Sequence, residues 1–218
     1  MKKKNLLLML LAVMALLLIP VSVQAAAKPG TVKLSSIKAV DYNKINIKWK
    51  KVSGATNYIV YYKKAGSSKW VKVKTLDNKK SSYTHTSSKK YPIVVGQKYQ
   101  YTVKAYNKKT KKSGNYNTKG LTVTASLKMV TGIEAKIEGT TVKLTWNKVS
   151  GADKYAIYSK IKADDKWSKI ITVKDTSSFI DVNPCVDCTN YYSVRGYSSS
   201  TKAYGIMNKT GVSIYELS

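Results

Sequence analysis

The chain has 218 residues and a formal net charge of +28 at pH 7, from 39 Lys and Arg against 11 Asp and Glu, with one His and two Cys. About 43% of it is hydrophobic, enough to bury one large core or two of roughly 100 residues each. One His and two Cys leave too few soft ligands for an ordinary structural zinc site. Arg195 is the single Arg, which argues against a sequence-reading nucleic-acid binder built on Arg forks.

Residues 1–25 have the layout of a secretory signal peptide: three Lys at 2–4, an apolar run from Leu6 to Ile19, and small side chains at Val23 and Ala25 before a cleavage point. The run is short for a bilayer about 30 Å thick, and no second long apolar run follows, so stable membrane insertion is not expected. The expected location is secreted, extracellular or associated with a cell surface.

From there the pattern has period two. Ile45, Ile47 and Trp49 alternate with polar residues, as do Tyr58, Val60 and Tyr62 after a turn, and each set predicts one buried strand face. Residues 71–74, 83–85, 99–103 and 121–123 supply further strands. A second round follows: Val142, Leu144 and Trp146, then Tyr155 and Ile157, then 170–173, 178–181, 192–196 and 212–215. The phrase WKKVSGATNYIVYY at 49–62 returns as WNKVSGADKYAIYS at 146–159. Gly54 and Gly151 permit its bend between the Trp and Tyr strands. Trp70 aligns with Trp167, Tyr83 with Phe179, Tyr101 with Tyr192 and Tyr106 with Tyr197. The expected organisation is therefore a leader over 1–25, one domain over 26–126 and a second over 127–218. The Pro-free junction at 125–130 holds them in a restricted orientation. Short strands every 8 to 12 residues predict antiparallel all-β sandwiches.

The Trp strand, the Tyr-x-Val-x-Tyr strand and the segment Gly96-Gln97-Lys98-Tyr99-Gln100-Tyr101-Thr102-Val103-Lys104-Ala105 resemble a fibronectin type III domain. Through the repeat, the likeness is to tandem type III modules of secreted bacterial proteins. It implies two immunoglobulin-like β-sandwiches and a tyrosine corner at Tyr99. In the second round Asn190 replaces that Tyr, and Cys185-Val186-Asp187-Cys188 replaces the Val95-Gly96 corner. The family serves adhesion, spacing and accessory binding, so the fold alone does not choose among them.

Cys185 and Cys188 in an exported chain are expected to form a local disulfide; redox chemistry wants a thiol at a helix N-terminus, and this segment lies between strands. His85 reads as a strand or surface residue without a catalytic relay. There is no phosphate-cradling glycine motif, no HExxH and no nucleophile elbow, and Asp164-Asp165 sits in a turn where neighbouring side chains diverge. A non-catalytic protein without catalytic, cofactor or metal residues is expected.

The charge is uneven. Residues 28–126 carry 23 Lys against Asp41 and Asp77, a net +21, whereas 127–218 carry 12 Lys and Arg195 against nine acids, a net +4. Codon bias that inflates Lys would inflate Glu too, yet Glu stands only at 134, 138 and 216. Lys72 and Lys74 fit protection of a sheet edge. The remaining excess points to a polyanion: anionic polysaccharide, wall polymer or host surface glycan, met by Lys108, Lys109, Lys111 and Lys112 with Tyr116 as a stacking ring. The expected function is adhesion or surface binding through the basic first domain. The alternative is an accessory carbohydrate-binding or spacer module beside a secreted carbohydrate-active enzyme, using exposed Tyr116, Trp70 and Trp167.

Overall fold

The structure is a computed structural model that describes residues 28–215; the expected leader lies outside the described residues. Among them there is no helix, and every paired strand is antiparallel. The first sandwich contains β1 (Leu34–Asp41), β2 (Lys44–Trp49), β3 (Asn57–Lys64), β4 (Val71–Asp77), β5 (Ser82–Thr86), β6 (Lys98–Asn107), β7 (Lys112–Ser113) and β8 (Leu121–Thr124). One sheet runs β1-β2-β5 and the other β4-β3-β6-β7, with β8 also on β6.

The second sandwich repeats this plan strand for strand. It contains β9 (Glu134–Glu138), β10 (Thr141–Thr145), β11 (Lys154–Lys160), β12 (Ser168–Lys174), β13 (Ser178–Asp181), β14 (Thr189–Ser198), β15 (Ala203–Tyr204) and β16 (Val212–Tyr215). Its sheets are β13-β10-β9 and β12-β11-β14-β15, with β16 on β14. Even the bulge recurs, between Val60 and Tyr61 in one copy and between Ile157 and Tyr158 in the other. Most expected strands come out longer than the alternation suggested, and β1, β9 and the two-residue β7 and β15 were not visible in it at all. The reason for β1 is two register shifts, which spoil a period-two pattern; for β9 it is a burial pattern with four of five residues exposed.

Each core forms where the alternating faces meet. Ile45, Ile47, Trp49, Tyr58, Val60 and Val103 are buried in the first, and Val142, Leu144, Trp146, Tyr155, Ile157 and Val194 in the second. Burying each aliphatic side chain is worth roughly 1.5–3 kcal/mol. The repeated phrase is the seam between the two sheets of each sandwich. Trp49 and Tyr58 pack at 5.5 Å between ring centroids, and the Tyr58 hydroxyl accepts the Val52 amide at 2.9 Å. Trp146, Tyr155 and Val149 repeat it at 5.5 and 2.8 Å.

A second cross-sheet bond joins β6 to β5. The Tyr101 hydroxyl and His85 Nδ1 lie 2.7 Å apart, and His85 Nε2 sits 3.2 Å from the Tyr91 carbonyl oxygen. In the second sandwich Asp181 stands at the place of His85 and accepts the Tyr192 hydroxyl at 2.7 Å. His85 is thus on a strand, as one half of the expectation had it, but as a core residue 0% exposed within a ring of tyrosines rather than at the surface.

The tyrosine corner implied for Tyr99 is present: its hydroxyl accepts the Val94 amide at 2.9 Å. Asn190 rebuilds the corner with two bonds, accepting the Cys185 amide at 2.9 Å and donating to the Cys185 carbonyl at 2.7 Å. Cys185 and Cys188 are disulfide-bonded in that corner, with Cα atoms 5.8 Å apart.

The junction leaves no free linker. Ala125 exchanges backbone bonds with Gly96 and Gln97, while two residues later Leu127 is wholly buried in the second core. Val95, beside the tyrosine corner, is buried in that same core, and Tyr42 packs against it. Gly151 lies so close to the Tyr42 ring that a Cβ there would meet it at 2.6 Å, and Lys128 pairs with Asp41 at 3.5 Å. The corner of the first sandwich therefore carries the second.

Burial pushes the His85 imidazole down to about 4, against an ordinary value near 6.5. The folded state holds the neutral ring, so its stability is complete above pH 6.5 and falls as the pH drops from 6.5 towards 4, by about 3 kcal/mol in all. Urea midpoints across that range are expected to show the decline in the native chain and a flatter profile in His85→Gln. Tyr99→Phe removes one buried bond at the corner and is expected to lower stability by about 1 kcal/mol. The change would appear in the thermal midpoint of the two-domain chain.

Candidate functional site

The basic runs, scattered along the sequence, converge on one pole of the first sandwich. The β2–β3 connection carries Lys50 and Lys51, the β4–β5 connection Lys79 and Lys80, and the β6–β7 connection Lys108, Lys109 and Lys111. Three hydrogen bonds tie these connections together. The Trp49 amide donates to the Ser81 carbonyl at 2.9 Å; Asn107 Nδ2 donates to the Gly54 carbonyl at 2.7 Å; and the Lys108 amide donates to Thr56 Oγ1 at 2.9 Å. All seven lysines are exposed, and none is in an ion pair among the described residues. Lys112, on β7, is exposed beside them.

One carboxylate stands near this pole. Asp77 Oδ1 accepts the Lys79 amide at 2.8 Å, so it shapes the turn. The other acid of the first sandwich, Asp41, is at the opposite pole and faces Lys128. The resulting field is cationic with little internal compensation, and low-dielectric sheet edges around it raise its reach at low salt.

The turn bearing Lys108–Lys111 is built by Asn107, whose Oδ1 accepts the Lys109 and Thr110 amides at 2.9 and 3.2 Å. Lys111 closes it in the left-handed region at φ 53°. A non-glycine residue there costs of order 1 kcal/mol. Lys202 takes the same conformation in the second sandwich, so the strain belongs to the shared turn.

Tyr116 is set apart from the pole. It is half-buried on the outer face of the five-stranded sheet, edge-on to Tyr61 at 5.2 Å, with Lys104 Nζ 4.5 Å from its ring centroid. Burial and the hydrogen bond with Tyr116 push the Tyr61 hydroxyl up to about 12, which keeps it neutral at any physiological pH. Tyr116 thus braces the sheet face and is not a ring standing among the loop lysines.

Trp70 and Trp167 belong to a second repeated device that sequence reading missed. Lys63 Nζ lies 4.8 Å from the Trp70 ring and Lys160 Nζ 4.8 Å from the Trp167 ring. Each Trp closes over a glycine, Gly120 or Gly211, both at positive φ and pressed against the carbonyl of Tyr101 or Tyr192. Asn117 and Asn208 turn the chain there, each accepting the glycine amide, at 3.2 and 3.0 Å. Their carbonyls accept Thr102 Oγ1 and Ser193 Oγ at 2.9 and 2.6 Å. The signal was present as Asn-x-x-Gly at 117–120 and 208–211, a period visible only once the two copies are laid against each other. Neither Trp is a flat open platform.

The described residues hold no cluster of three or more His, Cys, Asp or Glu side chains able to bind a metal, and no helix long and apolar enough to cross a membrane. Gly120→Ala and Trp70→Ala are each expected to lower the thermal midpoint, by the equivalent of about 1–3 kcal/mol. Both should leave retention on anionic polymers unchanged, which separates a structural clamp from a sugar platform.

No protein-family profile and no curated protein matches the chain. Among solved structures it is similar to a segment of two fibronectin type III domains from chicken tenascin, at 11% identity and a TM-score of 0.51, covering 86% of this chain and 98% of that one. The FN1-FN3 domains of chicken CNTN1 match at 20% identity over 88% of this chain and 68% of theirs, with a TM-score of 0.39. The sheet order, the corner and the tandem similarity agree: the chain folds as two consecutive fibronectin type III domains.

Proposed function

We propose that the chain is an exported, non-catalytic surface-binding protein whose first domain attaches end-on to an anionic extracellular polymer. The observation that carries this is the gathering of seven unpaired lysines from three separate loops on the one pole of the first domain that faces away from the second. Self-repulsion at such density opposes folding unless salt or a polyanion screens it. Lys supplies compact point charges without a fixed fork, which suits carboxylate, sulfate or phosphate groups spaced along a flexible chain. Anionic polysaccharide, wall polymer and surface glycan all offer this chemistry. The second domain, held firmly at the junction, acts as the stalk.

Residues 26–218 are expected to bind an immobilised acidic polysaccharide and to elute with salt. Replacing Lys50, Lys51, Lys108, Lys109 and Lys111 by Gln should make the log-log dependence of affinity on salt shallower by several units, close to one for each lysine that meets an anionic group. Unchanged retention of that variant, or retention of the native chain on neutral polysaccharide that survives molar salt, would sink the proposal and return the accessory carbohydrate-binding alternative.

A further inference from the structure

The pole of the first domain that faces the junction contains a cavity of about 240 Å³ between the β3–β4 connection and the β5–β6 connection. Its wall is apolar and aromatic, formed by Tyr62, Val71, Pro92 and Tyr99. Its rim is cationic, with Lys64 and Lys69 exposed and Ser67 between them. This is smaller than pockets for drug-sized ligands, which run roughly 300–1,000 Å³, and suits one small ring.

Tyr62 distinguishes this cavity from a surface dent. It is 6% exposed and sits in the tyrosine cluster, 5.9 Å from Tyr99 and 5.8 Å from Tyr101 by ring centroids. The hydroxyl of Tyr99 is bonded to Val94 and that of Tyr101 to His85. Tyr62 lines the cavity, and its hydroxyl is not among the buried polar atoms left without a partner, so it is open to solvent and free to meet a ligand.

The second domain supplies an internal comparison. It keeps the surrounding scaffold, Lys160 over Trp167, but has Ser159 for Tyr62, Ile161 for Lys64 and Asn190 for Tyr99. The Tyr62, Lys64 and Tyr99 side chains of this cavity are therefore confined to the first domain, while the features that make the fold are shared.

We infer that this cavity binds a single pyranose bearing a carboxylate, its C–H face on the tyrosine and proline wall, its carboxylate at Lys64 and Lys69, and a ring hydroxyl on Tyr62. A carboxylate satisfies the two ammonium groups, an apolar sugar face matches the wall, and a ring hydroxyl can bond the solvent-open phenol. The inference goes beyond the polymer-binding pole, which it neither needs nor uses. The two sites lie at opposite ends of the domain, so each can fail alone.

The test is an amide NMR titration of residues 26–218 with sodium glucuronate, methyl glucoside and glucose 6-phosphate at constant ionic strength. Glucuronate is expected to shift amides of residues 62–71 and 92–99 saturably in the millimolar range, and methyl glucoside to leave them in place. Tyr62→Phe should weaken glucuronate by about tenfold, the loss of one buried hydrogen bond, with an unchanged thermal midpoint. Lys64→Gln combined with Lys69→Gln should abolish the preference for the acid. Absence of saturable shifts in those segments, equal binding by Tyr62→Phe, or equal shifts by methyl glucoside would overturn the inference. Equal binding of glucose 6-phosphate would overturn the choice of a carboxylate.

Discussion

The hydroxyl of Tyr58, bonded to the Val52 amide while its ring leans on Trp49, is the interaction on which the first sandwich depends. It spans from β3, in one sheet, to the chain leaving β2, in the other, and it fixes where the β2–β3 connection must lie. That connection then receives Asn107 at Gly54 and Lys108 at Thr56, so the β6–β7 turn is placed by the same bond at one remove. The lysines of two loops are neighbours because a phenol reaches an amide. Tyr155 and Val149 do the same in the second domain, where the connection also meets Tyr42 of the first domain.

Much of this was legible in the residues. Alternation at Ile45, Ile47 and Trp49, and again at Val142, Leu144 and Trp146, reports burial on one sheet face directly, because successive side chains in a strand point to opposite sides. The repeat then marked two equivalent sandwiches. What stayed hidden was what period two cannot encode. The bulged β1 breaks the alternation, and β9 is mostly solvent-facing. His85, read as a strand or surface residue, does lie on a strand, but its polarity hid that the position is buried by tyrosines from β3, β6 and the β5–β6 connection.

The basic site was half legible. Composition located the charge in the first domain, and loop positions located Lys108 to Lys112, but only topology puts the β2–β3, β4–β5 and β6–β7 connections on one pole. Tyr116, close in sequence to those lysines, is carried by β7 onto the sheet face instead. Trp70 and Trp167 were legible as a pair but not as a clamp, since the glycines they cover lie 50 and 44 residues further along the chain, at 120 and 211.

The junction has a consequence for reach. With Ala125 bonded to one domain and Leu127 sunk in the other, Ser126 is the one residue between the two anchorages. A flexible tether lets its two ends wander and dilutes a second attachment by the volume they explore. This one does not wander. Whatever grips the far end of the second domain is held at a set distance and bearing from the lysine pole, so a load on the pole passes along the long axis as it would through a strut.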